Sequence, residues 1–155
     1  MNDLGDLLKP EAVLSGPMAS SKKKLFGVIA DAAATAYGLD RGAVAARLAD
    51  REKVGSTGFG GGIAIPHGKI DGLDRVVGVF ARPETAIDFG AIDDMPVDLV
   101  FALLSPVQAG GDHLKALARV SRRLRDRAFT AKLRGAGSAD ALFVLLTGLE
   151  TRDAA

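Results

Sequence analysis

Two histidines, His67 and His113, and one arginine, Arg51, stand beside glycine-rich segments in this chain. His67 lies between Pro66 and Gly68, where a short apolar run ends. A side chain leaving a rigid strand there can meet a large partner. A neutral imidazole has a lone pair near pH 7 and can take up a phosphoryl group. On spacing alone an ordinary loop histidine fits equally well. His113 is expected in the first turn of a helix, whose free N–H groups and dipole favour an anion. A helix-start surface histidine is its plain alternative. Arg51 is expected at the end of a helix, where it can clamp a phosphate with two parallel hydrogen bonds or simply complement the helix C-terminus.

Several other chemistries are excluded. The loop Gly55 to Gly62, GSTGFGGG, lacks the Gly-Lys-Ser/Thr of a phosphate-binding P-loop. Ile63 occupies the place of the third glycine of a dinucleotide fingerprint after Gly58 and Gly60. The chain has no cysteine, so disulfides and thiolate chemistry are out. The two histidines with Asp71, Asp74 or Asp112 match no metal-ligand spacing, and no metal is expected. Lys plus Arg number 20 against 19 Asp plus Glu, a balance that gives no bulk attraction to nucleic acid. No basic n-region precedes an apolar core at the N-terminus, and Leu99 to Leu104 is too short to span a bilayer. A cytoplasmic location without membrane insertion is the expectation.

The elements that must position these residues are legible in outline. The 155 residues suit a single domain, 1–155. The first ~18 residues read as an extended or loosely helical lead-in. Ser20 or Ser21 caps a helix carrying Leu25, Ile29 and Ala33, ended by Gly38. Asp40 caps a second with Val44 and Leu48, running to about Arg51 or Lys53. Five glycines in eight residues make 55–62 a loop. Strands follow at Ile63–Ile65, Val76–Ala81 and Val97–Leu104, with a short edge strand at Ile87–Phe89. The two longer strands are apolar on both faces, as in a sheet covered on each side. Asp112 is read as the cap of a helix to about Arg127, with Leu114, Leu117, Val120 or Ser121, and Leu124 inward. Lys115, Arg119, Arg122 and Arg123 then form a basic outer side. A short helix spans about Phe129 to Arg134, and Ser138 caps a last one with Leu142, Leu145 and Leu146. The class expected is an α/β sandwich.

The run Arg51-Glu52-Lys53-Val54-Gly55-Ser56-Thr57-Gly58, followed by Gly62-Ile63-Ala64-Ile65-Pro66-His67-Gly68-Lys69, resembles the active-site signature of the mannitol/fructose-type enzyme IIA superfamily of the phosphoenolpyruvate-dependent phosphotransferase system. Its form is similar to the nitrogen-regulatory branch. Val76–Phe80, Ala91–Asp93, Pro96–Leu104 and His113-Leu114 extend the resemblance over about Leu7 to Leu149. It departs from the commonest pattern at Gly61-Gly62 and at Gln108 to Gly111.

The resemblance implies a mixed five-stranded sheet with helices on both faces. It implies that His67 is phosphorylated through Nε2, that His113 is the second active-site histidine, and that Arg51 stabilises the phosphoryl charge. Ser56, Thr57 and Gly58 are its phosphate-loop candidates. The implied donor is a phosphorylated HPr-type carrier protein, with no metal or organic cofactor. The implied activity is that of a phosphotransferase component whose phosphorylation state alters binding to regulatory targets in nitrogen or potassium metabolism. Two alternatives stay open at this point: a carbohydrate-type IIA that passes phosphate to a sugar-specific IIB, and a binding module that is never phosphorylated.

Overall fold

The computed structural model describes residues 4–148, so the expected end of the core at Leu149 lies outside the described residues. Two short 3-10 turns, Gly5–Leu7 and Pro10–Ala12, lead into strand β1, Val13–Ser15. Helices α1 (Lys22–Tyr37) and α2 (Arg41–Val54) follow, then strands β2 (Gly58–Gly60), β3 (Ile63–Ala64), β4 (His67–Lys69), β5 (Val77–Arg82) and β6 (Leu99–Ser105). Helices α3 (Gly111–Leu124), α4 (Arg127–Gly135) and α5 (Ala139–Thr147) complete the described chain.

The expected mixed sheet is present. Its order is β1-β5-β6-β3-β2, with β4 also on β6. β5 runs antiparallel to β6, β1 parallel to β5, and β2 antiparallel to β3. β3 and β4 both run parallel to β6, and every residue in them faces the one 36 positions later. The two are therefore one strand interrupted at Pro66, which has no N–H for a ladder. Six strands thus fill five positions.

Strand alternation divides the core. Val100, Ala102 and Leu104 join α1 and α2 on one face. Leu99, Phe101 and Leu103 join α3, α4 and α5 on the other. Gly78, opposite Leu103, shows how tight the second face is. A Cβ there would lie 2.5 Å from Phe101 Cε1, a ring that is fully buried. Gly78→Ala is expected to cost about 1–3 kcal/mol in denaturant unfolding, because neither ring nor strand can yield.

The helix starts follow their caps. Ser21 accepts from the Lys24 amide, Asp40 from Ala43 and Ser138 from Ala141. Gly38, at φ 68°, closes α1 in the left-handed region that glycine tolerates.

Six expectations need correction. The lead-in contains β1, three residues too short to show a pattern. The glycine loop contains β2, paired antiparallel to β3, and a Cβ on Gly58 would lie 3.0 Å from Ala91 Cβ. The edge strand at Ile87–Phe89 is a single bridge, Ile87 to Val97. Asp112 is not a cap: α3 starts at Gly111 after Gly110, and Asp112 sits in its first turn. Leu114 points outward, 67 % exposed, because the inward stripe is His113, Ala116, Val120 and Leu124. α3 also stops at Leu124 rather than near Arg127, since Asp126 accepts from the Ala128 and Phe129 amides and starts α4. On the expected basic side, Arg119 pairs with Asp6 at 2.7 Å and Arg123 lies 3.5 Å over the Phe129 ring.

Candidate active site

His67 opens β4, in ladder with Leu103 of β6, rather than lying where a strand leaves the sheet. Its side chain is half-buried. The ring Nδ1 is 2.9 Å from the Ile65 carbonyl oxygen. A carbonyl can only accept, so Nδ1 carries the proton and Nε2 carries the lone pair. Arg51 Nε donates to that Nε2 across 3.2 Å. The sequence features alone left the tautomer open; two residues of backbone settle it.

Arg51 reaches this point from the last turn of α2, where its Nη1 also donates to Gly55 O at 2.9 Å. The guanidinium is thereby fixed at two points. Its Nη2 has no protein partner among the described residues, and so remains for an anion placed on His67 Nε2.

His113 comes from α3. Its ring centroid is 5.4 Å from that of His67, at an interplanar angle of 52°. It is 9 % exposed, and its Nδ1 lies 2.6 Å from Ser105 Oγ. Residues of β4, α2 and α3 thus meet in a cleft of about 850 Å³, lined by Arg47, Arg51, His67, Lys69 and His113 among others. Gly68 is a glycine for close approach: a Cβ would sit 3.1 Å from Arg47 Cβ. Arg47, Arg51 and Lys69 outnumber Asp40 and Asp71 in its lining, and it is wide enough for a partner's side chain as well as a phosphoryl group.

The glycine-loop residues take a different place. Ser56 Oγ donates to Phe89 O at 2.6 Å, and Thr57 Oγ1 to Glu52 Oε1 at 2.6 Å. Glu52, whose side chain is 6 % exposed, also accepts from the Thr57 amide and pairs with Lys22 at 3.0 Å. Lys22 in turn donates to Phe89 O. Ser56, Thr57 and Gly58 therefore brace the segment after α2, and none of them lines the cleft. Glu52 and Ser105 were missed in the sequence. Glu52 stands inside the quoted motif, where an acidic residue beside Arg51 was the available signal. Ser105 offered none.

Both histidines have pKa values below the ordinary 6.5. For His67 burial is the main cause and the Arg51 charge adds to it, against the Ile65 carbonyl and Glu52. For His113 burial again leads, followed by His67 and Lys69. A depressed histidine pKa means that the unfolded chain binds more protons as pH drops through 6.5. The stabilisation from neutral, buried rings is therefore complete above 6.5 and is lost as pH falls towards the lowered folded values. Denaturant unfolding over a pH series is expected to show this loss, and His67→Gln is expected to reduce its size.

Among the described residues, no three His, Cys, Asp or Glu side chains gather as a metal-binding group. No helix there is long and apolar enough to cross a membrane.

Comparison with known proteins identifies the family. The family model described as phosphoenolpyruvate-dependent sugar phosphotransferase system, EIIA 2, matches residues 6–148. A nitrogen regulatory protein of Bradyrhizobium diazoefficiens is 48 % identical, over 91 % of this chain and 92 % of that protein. One of Escherichia coli is 43 % identical, over 95 % and 91 %. The crystal structure of nitrogen regulatory protein IIA-Ntr from Neisseria meningitidis superposes with a TM-score of 0.86 at 33 % identity, covering 93 % of this chain and 99 % of that one. The mannitol IIA of Escherichia coli, at 22 % identity and a TM-score of 0.74, shares the fold. With nearly its whole length matched by the family model, the chain belongs to the EIIA 2 family of the phosphoenolpyruvate-dependent phosphotransferase system.

Proposed function

We propose that this protein is a phosphohistidine carrier that accepts a phosphoryl group on His67 Nε2 from a phosphorylated HPr-type carrier protein. It then acts as a regulator by binding targets according to its phosphorylation state. The observation that carries this reading is the pair of hydrogen bonds on His67: Ile65 holds the proton on Nδ1, and Arg51 stands at the lone pair of Nε2.

In the transfer, the phosphorus–nitrogen bond on the donor histidine breaks as a new one forms to His67 Nε2. The donor ring recovers its lone pair and the His67 lone pair is consumed. Such transfer relies on positioning and on neutralising the equatorial oxygens, which Arg51 supplies. No metal or organic cofactor enters. The product adds roughly −1.5 to −2 charges to a cleft whose lining balances Arg47, Arg51 and Lys69 against Asp40 and Asp71. A surface whose sign changes that much presents different faces to a partner in its two forms. The relatives named nitrogen regulatory proteins support targets in nitrogen metabolism, potassium metabolism rests on the sequence resemblance alone, and a cytoplasmic location suits such targets.

The test is intact-protein mass spectrometry after incubation with phosphoenolpyruvate, enzyme I and a histidine carrier. One acid-labile phosphoryl group per chain is expected. An unmodified mass with every carrier tried would leave a binding module on the same fold.

A further inference from the structure

Ser105 is the last residue of β6, and it is fully buried. Strand alternation puts its side chain on the same face as Leu99, Phe101 and Leu103, towards α3. A hydroxyl at that place in an otherwise apolar strand needs a partner. Its one hydrogen-bond partner among the described residues is His113 Nδ1, 2.6 Å away.

The direction of that bond follows from the count of acceptors. If His113 Nδ1–H donated to Ser105 Oγ, the buried serine O–H would be left with no acceptor. If the serine donates, both groups are satisfied. Nδ1 of His113 is then the lone-pair nitrogen, and the ring proton sits on Nε2. With Nδ1 anchored in the interior, the opposite edge of the ring lines the cleft beside His67. The two histidines are thus held as opposite tautomers by different means. His67 has its proton on Nδ1, fixed by a backbone carbonyl; His113 has its proton on Nε2, fixed by a serine.

We propose that Ser105 is a positioning residue, which fixes His113 as the Nε2–H tautomer so that this ring donates a hydrogen bond to the phosphoryl oxygens arriving on His67. The proposal rests on the reading of His67 as the acceptor. A lone pair at His113 Nε2 would repel those oxygens, whereas an N–H attracts them. The proton remains on His113 throughout, so only the donor's phosphorus–nitrogen bond breaks and only the His67 bond forms.

Two measurements on the full chain test it. The first is a two-bond proton–nitrogen correlation spectrum of the ring nitrogens, in unmodified protein labelled with nitrogen-15 histidine. His113 is expected as the Nε2–H tautomer, and Ser105→Ala is expected to give a mixture of tautomers. A native His113 protonated on Nδ1 would overturn the proposal without any variant. The second is single-turnover transfer from a phosphorylated carrier. Ser105→Ala is expected to slow the transfer step about tenfold, with little change in the carrier concentration at half-saturation. In a His113→Ala background the same change is expected to add less than about twofold, because the serine acts through that ring. An equal slowing with and without His113 would overturn the proposal, and Ser105→Cys, which keeps the volume, guards against a fault of folding. If wild-type protein takes no phosphoryl group at all, the proposed carrier function fails, while the spectrum still decides the role of Ser105.

Discussion

A His67→Ala chain is expected to fold and to take up no phosphoryl group from any phosphorylated carrier. The loss should be complete rather than partial. His113 is the other histidine, but the proposed Ser105 bond leaves it an N–H rather than a lone pair towards the cleft, so it offers no second acceptor. The fold should survive, because His67 sits half-buried at the start of a three-residue strand whose ladder bonds are made by backbone. Melting followed by circular dichroism checks the fold, and intact mass checks the chemistry. Residual acid-labile phosphate in this variant would place the acceptor elsewhere.

Replacement of Arg51 by alanine is expected to slow transfer to His67 by about 10²–10³-fold while leaving the protein folded, the scale found when one preorganised donor to a developing charge is removed. Arg51 touches Nε2 itself and is anchored on Gly55 O, so its charge is in place before the phosphoryl group arrives. Arg51→Lys should recover little of the rate. An ammonium keeps the charge but cannot hold Gly55 O and a phosphoryl oxygen in one plane. Single-turnover rates with a phosphorylated carrier measure both variants. Full activity in Arg51→Ala would mean that Lys69 or Arg47 supplies the neutralising charge instead.

Much of this site was readable from the sequence, and the reasons differ by residue. His67 and Arg51 lie in one contiguous motif, with their neighbours quoted in full, so the structure had only to bring α2 and β4 together. His113 was also named, though the start of its helix was read two residues late. The error came from treating Asp112 as a cap, when Gly110 opens the helix with no side-chain cap at all. The buried stripe of this helix is His113, Ala116, Val120 and Leu124, which leaves Leu114 outside and places the His113 ring beside His67. Ser56, Thr57 and Gly58 were phosphate-loop candidates through the family resemblance. The Thr57 partner, Glu52, is five residues away, but the Ser56 partner, Phe89 O, is 33 residues away and no local pattern announces it. Ser105 was unreadable for a simpler reason. Its meaning depends on a ring eight residues away on a different element, and one serine at the end of an apolar strand has no pattern of its own. The same limit hid β1, whose three residues are a strand only because β5 lies alongside.

The pairing of β4 bears on when the site comes into being. β4 is held in the sheet by β6, and every residue of it faces one 36 positions later. A ribosome-bound chain that has released His67 but not yet Leu99–Ser105 has no strand for His67 to join. It also lacks Ser105 and His113, and therefore the cleft. On the proposed function, acceptance of phosphate would await synthesis through at least His113, and a carrier protein meeting shorter nascent chains would have nothing to charge.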